Sequence, residues 1–452
     1  MICRRHIIVP LSVPRITRGI LHGLGALIFT FILSACLDST RAPEMKFASW
    51  GTSKDVAIYR NLIAMHHRDH PADPPVTMLF IPWGNYFTKL QLLIVGNVAP
   101  GMATVSVEMA YSLQSAGHLR NLQPFIERER QTNPGFLRES DYIIDPLNPM
   151  CEFDGDTYYI PCGPMTMNLF YNKDLFDKAG IPYPDETWTW GDLRKAAKTL
   201  TVRDPDGRIA QWGFMCENWW NWWAPFLWQN EADLFDDMSS PTRCLLAAPN
   251  AIETFRFFQT MIFDDRSAPT PVQAATMSGN FMTGKLAMQI HGSWMIEQFR
   301  NIKAFKWDMS WLPRQKKRAN IVTVGGYAIT SQCRDPQAAW RFLRQFCTDE
   351  GQQALCNDCA LWMPNKRSVL ASDPFRRVTG LPAHHDIRIA ELQAARPGMI
   401  RHPRSKEIVH MLGMKIDPIF NKNQDAGQTM RELVPVIDRM LAGKSLIDTE
   451  GR

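Results

Sequence analysis

From residue 45 onward, apolar positions alternate in short blocks between the period of a strand and the period of a helix. MKFASW reads as a strand that ends at Gly51-Thr52-Ser53. DVAIYRNLIAMHHRDHP follows as a helix, with Val56, Tyr59, Leu62 or Ile63, and His66 at helical spacing and Pro71 as its stop. VTMLFIPW predicts a second strand and TKLQLLIVGN a second helix, and MATVSV with AYSLQSAGHL repeats the cycle. Strand and helix alternating at such intervals predict βαβ units and a mainly parallel sheet. The stretch from Leu147 to Cys162, rich in Pro, Asp and Gly, reads as a crossing between units.

The second half keeps the rhythm. MTMNLFYN reads as a strand and KDLFDKAG as a helix closed by Gly180. After the Pro-rich loop IPYPDETWTW, Thr189 caps the helix GDLRKAAKTL with Asp192 as its capping-box partner. PNAIETFRFFQTMI and the segment from Ala274 to Met282 read as helices, and KLAMQIHG, KWDMSWLP and VTVGGYAIT as extended pieces. Asp335 and Pro336 supply an N-cap and a first helical position for QAAWRFLRQF. Everything after Gly380 is amphipathic and largely helical. One stretch breaks the pattern: CENWWNWWAPFLW, Cys216 to Trp228, holds five tryptophans in ten positions. A helix shows one stripe to a core, so Trp219-Trp220 and Trp222-Trp223 are not expected to face inward together. Some of these indoles are expected near water, at an interface or against a ligand.

At 452 residues the chain is long enough for two or three compact units, and 45% apolar content is that of a globular protein. The net charge of +5 has a local origin. Four of the 50 basic residues (Arg4, Arg5, Arg15 and Arg18) precede Cys36 with no acid among them, and the remainder nearly balances the 45 acids. Nothing in that balance calls for nucleic acid or an anionic surface. The basic leader is followed by ILHGLGALIFTFILSAC, short for a membrane span and suited to a signal-peptide core. Leu33-Ser34-Ala35-Cys36 resembles a lipoprotein box, in which the Cys36 thiol takes a lipid; cleavage without lipidation, or an uncleaved anchor, is the plainer alternative. Residues 1–35 are thus expected to be removed and 36–44 to serve as a tether.

Export places the cysteines after Cys36 in an oxidising space. Eight of them permit many pairings, and Cys151 with Cys162 would staple the hairpin-like EFDGDTYYIP between them. Cys356 and Cys359 form a lone C-x-x-C without a second pair at zinc spacing, so structural or buried cysteine is the favoured account. His66, His67 and His70 fit a metal site or, more readily, a solvated helix end. The sequence holds no nucleophile elbow, zinc-protease helix or phosphate loop. No cofactor and no metal are expected.

Several stretches in order carry a resemblance. YRNLIAMHHRDHP with IPWGNYFTKLQLLIVGNVAPG, NLFYNKDLFDKAGIPYPDETWTWGDLRKAAKTLT, FMTGKLAMQIHGSW, WLP with VGGYAIT, DPQAAWRFLRQFCTDEGQQAL and WMPNKRS resemble the extracellular solute-binding proteins of ABC importers. The branch is the carbohydrate-binding one, the maltose-binding protein family. Where that family commonly has Ala-Pro-Asp, this chain has Ala99-Pro100-Gly101.

The resemblance implies an α/β fold of the type II periplasmic-binding-protein kind. Its two lobes are each a mainly parallel sheet flanked by helices, with the ligand in the cleft between them. It implies lobe one at 45–160 with a return at 311–347, and lobe two at 161–310 and 348–452. It also implies a carbohydrate ligand, permease partners, a monomer held to the membrane by its lipid anchor in the cell envelope, and no enzymatic activity.

Sugars need flat apolar platforms and fixed polar groups. Family positions suggest Trp50, Trp83, Trp219, Trp222, Trp294, Tyr327 and Trp362 as platforms. Glu108, Asn218 and Asn221 are candidates to pair hydroxyls, and Gly326 to let backbone approach. Set against these, Trp188, Trp190, Trp212, Trp307, Trp311 and Trp340 read as packing. Glu108 also fits a surface ion pair, and Gly325-Gly326 a purely structural close contact. Two rival functions remain. A binding protein for a phosphorylated polyol needs Arg or Lys in the cleft, and a secreted carbohydrate-active enzyme needs two facing carboxylates.

Overall fold

The computed structural model describes residues 44–51, 53–145, 148, 150–276, 280–356, 363–376 and 381–444. Those from Met45 on belong to one compact unit. Cys36, Cys359 and Trp362 lie outside the described residues.

One eight-stranded sheet runs through the molecule. Strands β1 (Met45–Ser49), β2 (Val76–Phe80) and β3 (Met102–Ser106) are parallel neighbours, in register Met45↔Val76 and Phe47↔Met102. They are joined by helices α1 (Ser53–Asp69) and α2 (Trp83–Val95), the two βαβ units that the alternation predicts. Helix α2 begins five residues before the expected Thr88, because Pro82 with its fixed φ of −55° already stands at its cap. Helices α3 (Val107–Ser115) and α4 (Gln123–Thr132) follow. Strand β4 (Ile160–Asn172) then spends its first half beside β7 (Asn320–Ile329), antiparallel, with Thr166↔Val322. Its second half pairs antiparallel with β5 (Met288–Gly292) and β6 (Trp307–Ser310). β7 in turn lies antiparallel to β3 and parallel to the short β8 (Ala395–Pro397). The fold is the expected two-lobed α/β arrangement, with parallel pairs in the βαβ units and antiparallel pairs along the crossing strands.

Each end of this sheet is covered on both faces. In lobe one, Phe47, Tyr59, Leu62, Tyr327, Phe342 and Phe346 form one core, and Tyr86, Leu90, Val105, Met109 and Tyr159 the other. In lobe two the larger core gathers Leu169, Tyr171, Trp190, Trp222, Trp228, Phe258, Phe420 and Leu433, and a smaller one Phe170, Phe299 and Met309. Beyond residue 347, Leu355, Cys356 and Phe375 pack with Phe47 and Tyr327, Leu381 packs against Phe170 and Met309, and Ile400 joins the core of Trp222 and Phe420. Amphipathic helices do not declare which core they bury.

Local signals fold as read. Gly180 closes its helix at φ +67°. Thr189 and Asp192 form a reciprocal capping box, and Asp335 caps at Ala338 N. The hairpin 152–157 turns at Asp154-Gly155, both at positive φ. Its flanking Cys151 and Cys162 are buried free thiols, like Cys216, Cys244, Cys333, Cys347 and Cys356. His66 is only 2% exposed, because the end of α1 packs under Phe342 instead of facing solvent.

The tryptophan stretch departs most from expectation. Every residue of helix α5 (Trp220–Gln229) is buried, and Trp222, Trp223 and Trp228 are each at most 1% exposed. A helix apolar all round can be buried all round when other elements enclose it. Here β5, the phenylalanine-rich helix α6 (Pro249–Gln259) and helix α7 (Ser405–Lys422) do so.

Candidate functional site

In parallel sheets, loops at the carboxyl ends of the strands converge, and ligands collect there. Trp50 follows β1, Trp83 opens α2 just after β2, and Glu108 lies in the first turn of α3 after β3. Trp50 is half-buried and meets Trp83 edge to face at 5.0 Å and Tyr86 at 4.9 Å. The Tyr86 hydroxyl donates to the Thr104 carbonyl at 2.7 Å, which pins that ring beneath Trp50. Trp83 remains 50% exposed, an indole face turned to solvent at the strand ends.

Glu108 reaches the other lobe. Its Oε1 accepts from Trp220 Nε1 at 3.2 Å and from Asn221 Nδ2 at 2.5 Å, at the start of α5. Burial pushes the Glu108 carboxyl pKa above the ordinary value, opposed by nearby Lys406 and by those two hydrogen bonds. Lys406, on α7, lies over the Phe87 ring of lobe one at 4.8 Å.

On the lobe-two side, Asn218 Nδ2 donates to the Gly413 carbonyl of α7 at 2.9 Å. Both asparagine amides are therefore oriented by acceptors, and both Oδ1 atoms are buried without a partner. Gly413 lies with Val409, His410, Met414 and Asp417 along a cavity of about 560 Å³. Trp219 is half-buried, 5.8 Å from Trp294 in an edge-to-face pair, with the His291 ring 5.3 Å from Trp294. Gly292 makes room for this pair, since a Cβ there would stand 1.9 Å from the Trp294 ring. Burial lowers the His291 pKa, against the attraction of Glu217.

Trp50, Trp83 and Glu108 thus gather at one lobe's strand ends, and Asn218, Trp219, Asn221 and Trp294 on the other. Three candidates lie elsewhere. Trp222 is fully buried, stacks on Phe226 and donates from Nε1 to the Ile290 carbonyl at 3.0 Å. Tyr327 is fully buried, stacked on Phe346 at 4.0 Å with its hydroxyl 3.3 Å from that of Tyr59. Gly326 sits at a β-bulge, where a Cβ would fall 2.2 Å from the Tyr159 ring, so its role is close packing. Helix α7, whose His410 and Gly413 line the cavity, carries none of the residues expected at the site. In the sequence the signal was a glycine inside a helix whose apolar stripe is Ile408, Leu412, Ile416 and Ile419; in the structure the space above Gly413 is open.

Among the described residues, no group of three or more His, Cys, Asp or Glu side chains is placed to hold a metal ion. Among the same residues, no helix is long and apolar enough to cross a membrane.

A family model described as bacterial extracellular solute-binding protein matches residues 70–354. Binding proteins of Brucella abortus are 23% identical over 284 residues, 60% of this chain and 64% of theirs, so the match spans a little under two thirds of those relatives. The arabinooligosaccharide-binding protein of Bacillus subtilis is 22% identical over 254 residues, 54% of each chain. An ABC substrate-binding protein of Listeria monocytogenes, solved with cycloalternan, superposes with a TM-score of 0.79 at 23% identity, covering 89% of this chain and 99% of that one.

Proposed function

We propose, for a chain that belongs to the bacterial extracellular solute-binding proteins, that the cleft captures a mono- or oligosaccharide and delivers it to the permease of an ABC importer. The observation that carries this reading is the bond pair from Trp220 and Asn221 to Glu108. It joins the lobes directly, beside exposed or half-buried indoles on either side. Trp50, Trp83, Trp219 and Trp294 offer ring faces to the C–H faces of a sugar. Glu108 and the free carbonyls of Asn218 and Asn221 accept from its hydroxyls. Capture proceeds by lobe closure, and a sugar lacking the matching hydroxyl leaves a buried acceptor unpaired. Relatives named for arabinooligosaccharide and solved with cycloalternan support a carbohydrate of one or more rings.

In this reading the protein acts as a monomer, performs no chemistry on the sugar, and is tethered outside the cytoplasm by a lipid on Cys36. The experiment is intrinsic tryptophan fluorescence of the chain starting after Cys36, titrated with mono- and oligosaccharides, with product analysis of each mixture. A saturable spectral change with intact sugar supports a transport receptor. Cleaved sugar makes it an enzyme, and silence across the panel removes the carbohydrate assignment.

A further inference from the structure

Exposed apolar side chains are ordinary when scattered and informative when gathered. Val95, Leu92 and Val98 are the three most exposed large apolar side chains among the described residues, at 81%, 67% and 64%, and they fall within seven positions. Helix α2 buries Tyr86, Leu90 and Ile94 on its inner face, so Leu92 and Val95, one turn apart, share the outer one. Val98 folds back beside them. Its Cγ2 lies 3.6 Å from where a Cβ on Gly96 would stand, a point 3.2 Å from the Leu92 carbonyl.

The segment that presents them is pinned. Val98 N donates to the Leu93 carbonyl at 2.9 Å. Gln332, just after β7, accepts from Ala99 N at 3.0 Å and donates to the Ile94 carbonyl at 2.7 Å. The Thr330 hydroxyl donates to the Pro100 carbonyl at 2.7 Å. A loop held by these bonds keeps three aliphatic side chains in water, which is unfavourable unless something covers them.

Their place in the fold says what does. Strands β1, β2 and β3 are parallel and begin at one edge of the sheet, and α2 returns to that edge before β3. Gly101, three residues after Val98, packs against the first residue of β1, with Met45 Cγ 3.6 Å from its Cβ position. Nine peptide bonds separate Met45 from Cys36. Nine extended residues span at most about 30 Å, so a lipid on Cys36 keeps this edge close to the bilayer. Trp50 and Glu108 stand at the other ends of the same strands. We infer that the Leu92, Val95 and Val98 patch rests on the lipid surface in which Cys36 is anchored, holding Trp50, Trp83 and Glu108 on the side away from the membrane. The inference rests on the anchor proposed at Cys36. That tether makes the contact intramolecular, so a few aliphatic side chains suffice where a free protein would not stay bound.

The test takes the mature protein, with the Cys36 lipid read by mass spectrometry, into nanodiscs containing nitroxide-bearing phospholipid. Methyl NMR of leucine- and valine-labelled protein reports which side chains meet that lipid. The expected result is loss of the Leu92, Val95 and Val98 methyl signals while those of Val202 and Val272, exposed elsewhere, persist. With Leu92→Ser, Val95→Ser and Val98→Ser combined, the neighbouring Leu93 methyls are expected to recover intensity. Equal loss at all five positions, or no loss at the patch, overturns the contact. Broadening of the patch signals that grows with protein concentration in the absence of lipid also overturns it, and seats a second copy there. A mature chain without lipid on Cys36 overturns the anchor and this inference together, whereas a lipidated chain whose patch signals persist overturns the inference alone. Sugar titration by fluorescence tests the cleft separately from both.

Discussion

Glu108, carried by the first turn after β3, accepts a 2.5 Å hydrogen bond from the side-chain amide of Asn221 in the opposite lobe. A carboxylate so placed contributes to holding the lobes together, and in the proposed reading it also pairs a ligand hydroxyl. Glu108→Ala is expected to weaken sugar binding by about tenfold or more, the cost of one charge-assisted hydrogen bond. Calorimetric titration of both proteins with the same sugar decides it, and equal affinities would place Glu108 outside the binding machinery.

Trp219 and Trp222 sit three positions apart and are expected to behave oppositely. Trp222→Ala empties a fully buried position and should cost about 3–5 kcal/mol of stability while any folded fraction binds normally. Trp219→Ala or Trp294→Ala should move stability less and lose most of the ligand-induced fluorescence change. Urea denaturation alongside titration separates the two effects. Comparable stability losses with intact binding in all three would assign the whole cluster to packing.

Gly326→Ala sets a Cβ against the Tyr159 ring and within 2.5 Å of the Ile160 carbonyl. Overpacking of this kind costs about 1–3 kcal/mol. A lower midpoint in denaturant, with sugar affinity retained, is the expected result. An unchanged midpoint would mean that β4 moves aside freely at the bulge.

His66 ties stability to acidity. Its folded-state pKa of about 4 lies below the ordinary 6.5, so only the unfolded chain takes up this proton between those values. The stabilisation is complete above 6.5 and fades as pH falls toward 4, with a slope of roughly 1 kcal/mol per pH unit. His66→Gln should flatten that part of the profile relative to wild type, read from thermal melts across the range. Parallel profiles would rule out His66 as the source.

What the sequence disclosed was whatever a few neighbouring residues decide. The capping box of Thr189 and Asp192, the left-handed Gly180 and the Asp335-Pro336 helix start depend on local backbone chemistry, and each stands where the residues put it. The order of strands and helices was legible for the same reason. Trp222 and Tyr327 were misplaced because their surroundings come from Phe226, Ile290, Phe346 and Tyr59, the last 268 residues away in the chain. The cavity-lining face of α7 escaped notice because a mixed face such as Val409, His410, Gly413, Met414 and Asp417 reads alike whether it meets solvent or a ligand.

The position of β7 between β3 and β4 has a consequence for the order in which the molecule is made. As the chain grows from its amino end, β1, β2 and β3 emerge with one flank of β3 bare, and that flank stays open until residues 320–329 have been synthesised. Phe342, Phe346 and Leu355, which complete the core under the same strands, arrive later still. The sheet around β3 therefore cannot close before residues 320–329 and the helices that follow them have been made, so its completion waits on the long segment between β4 and β7.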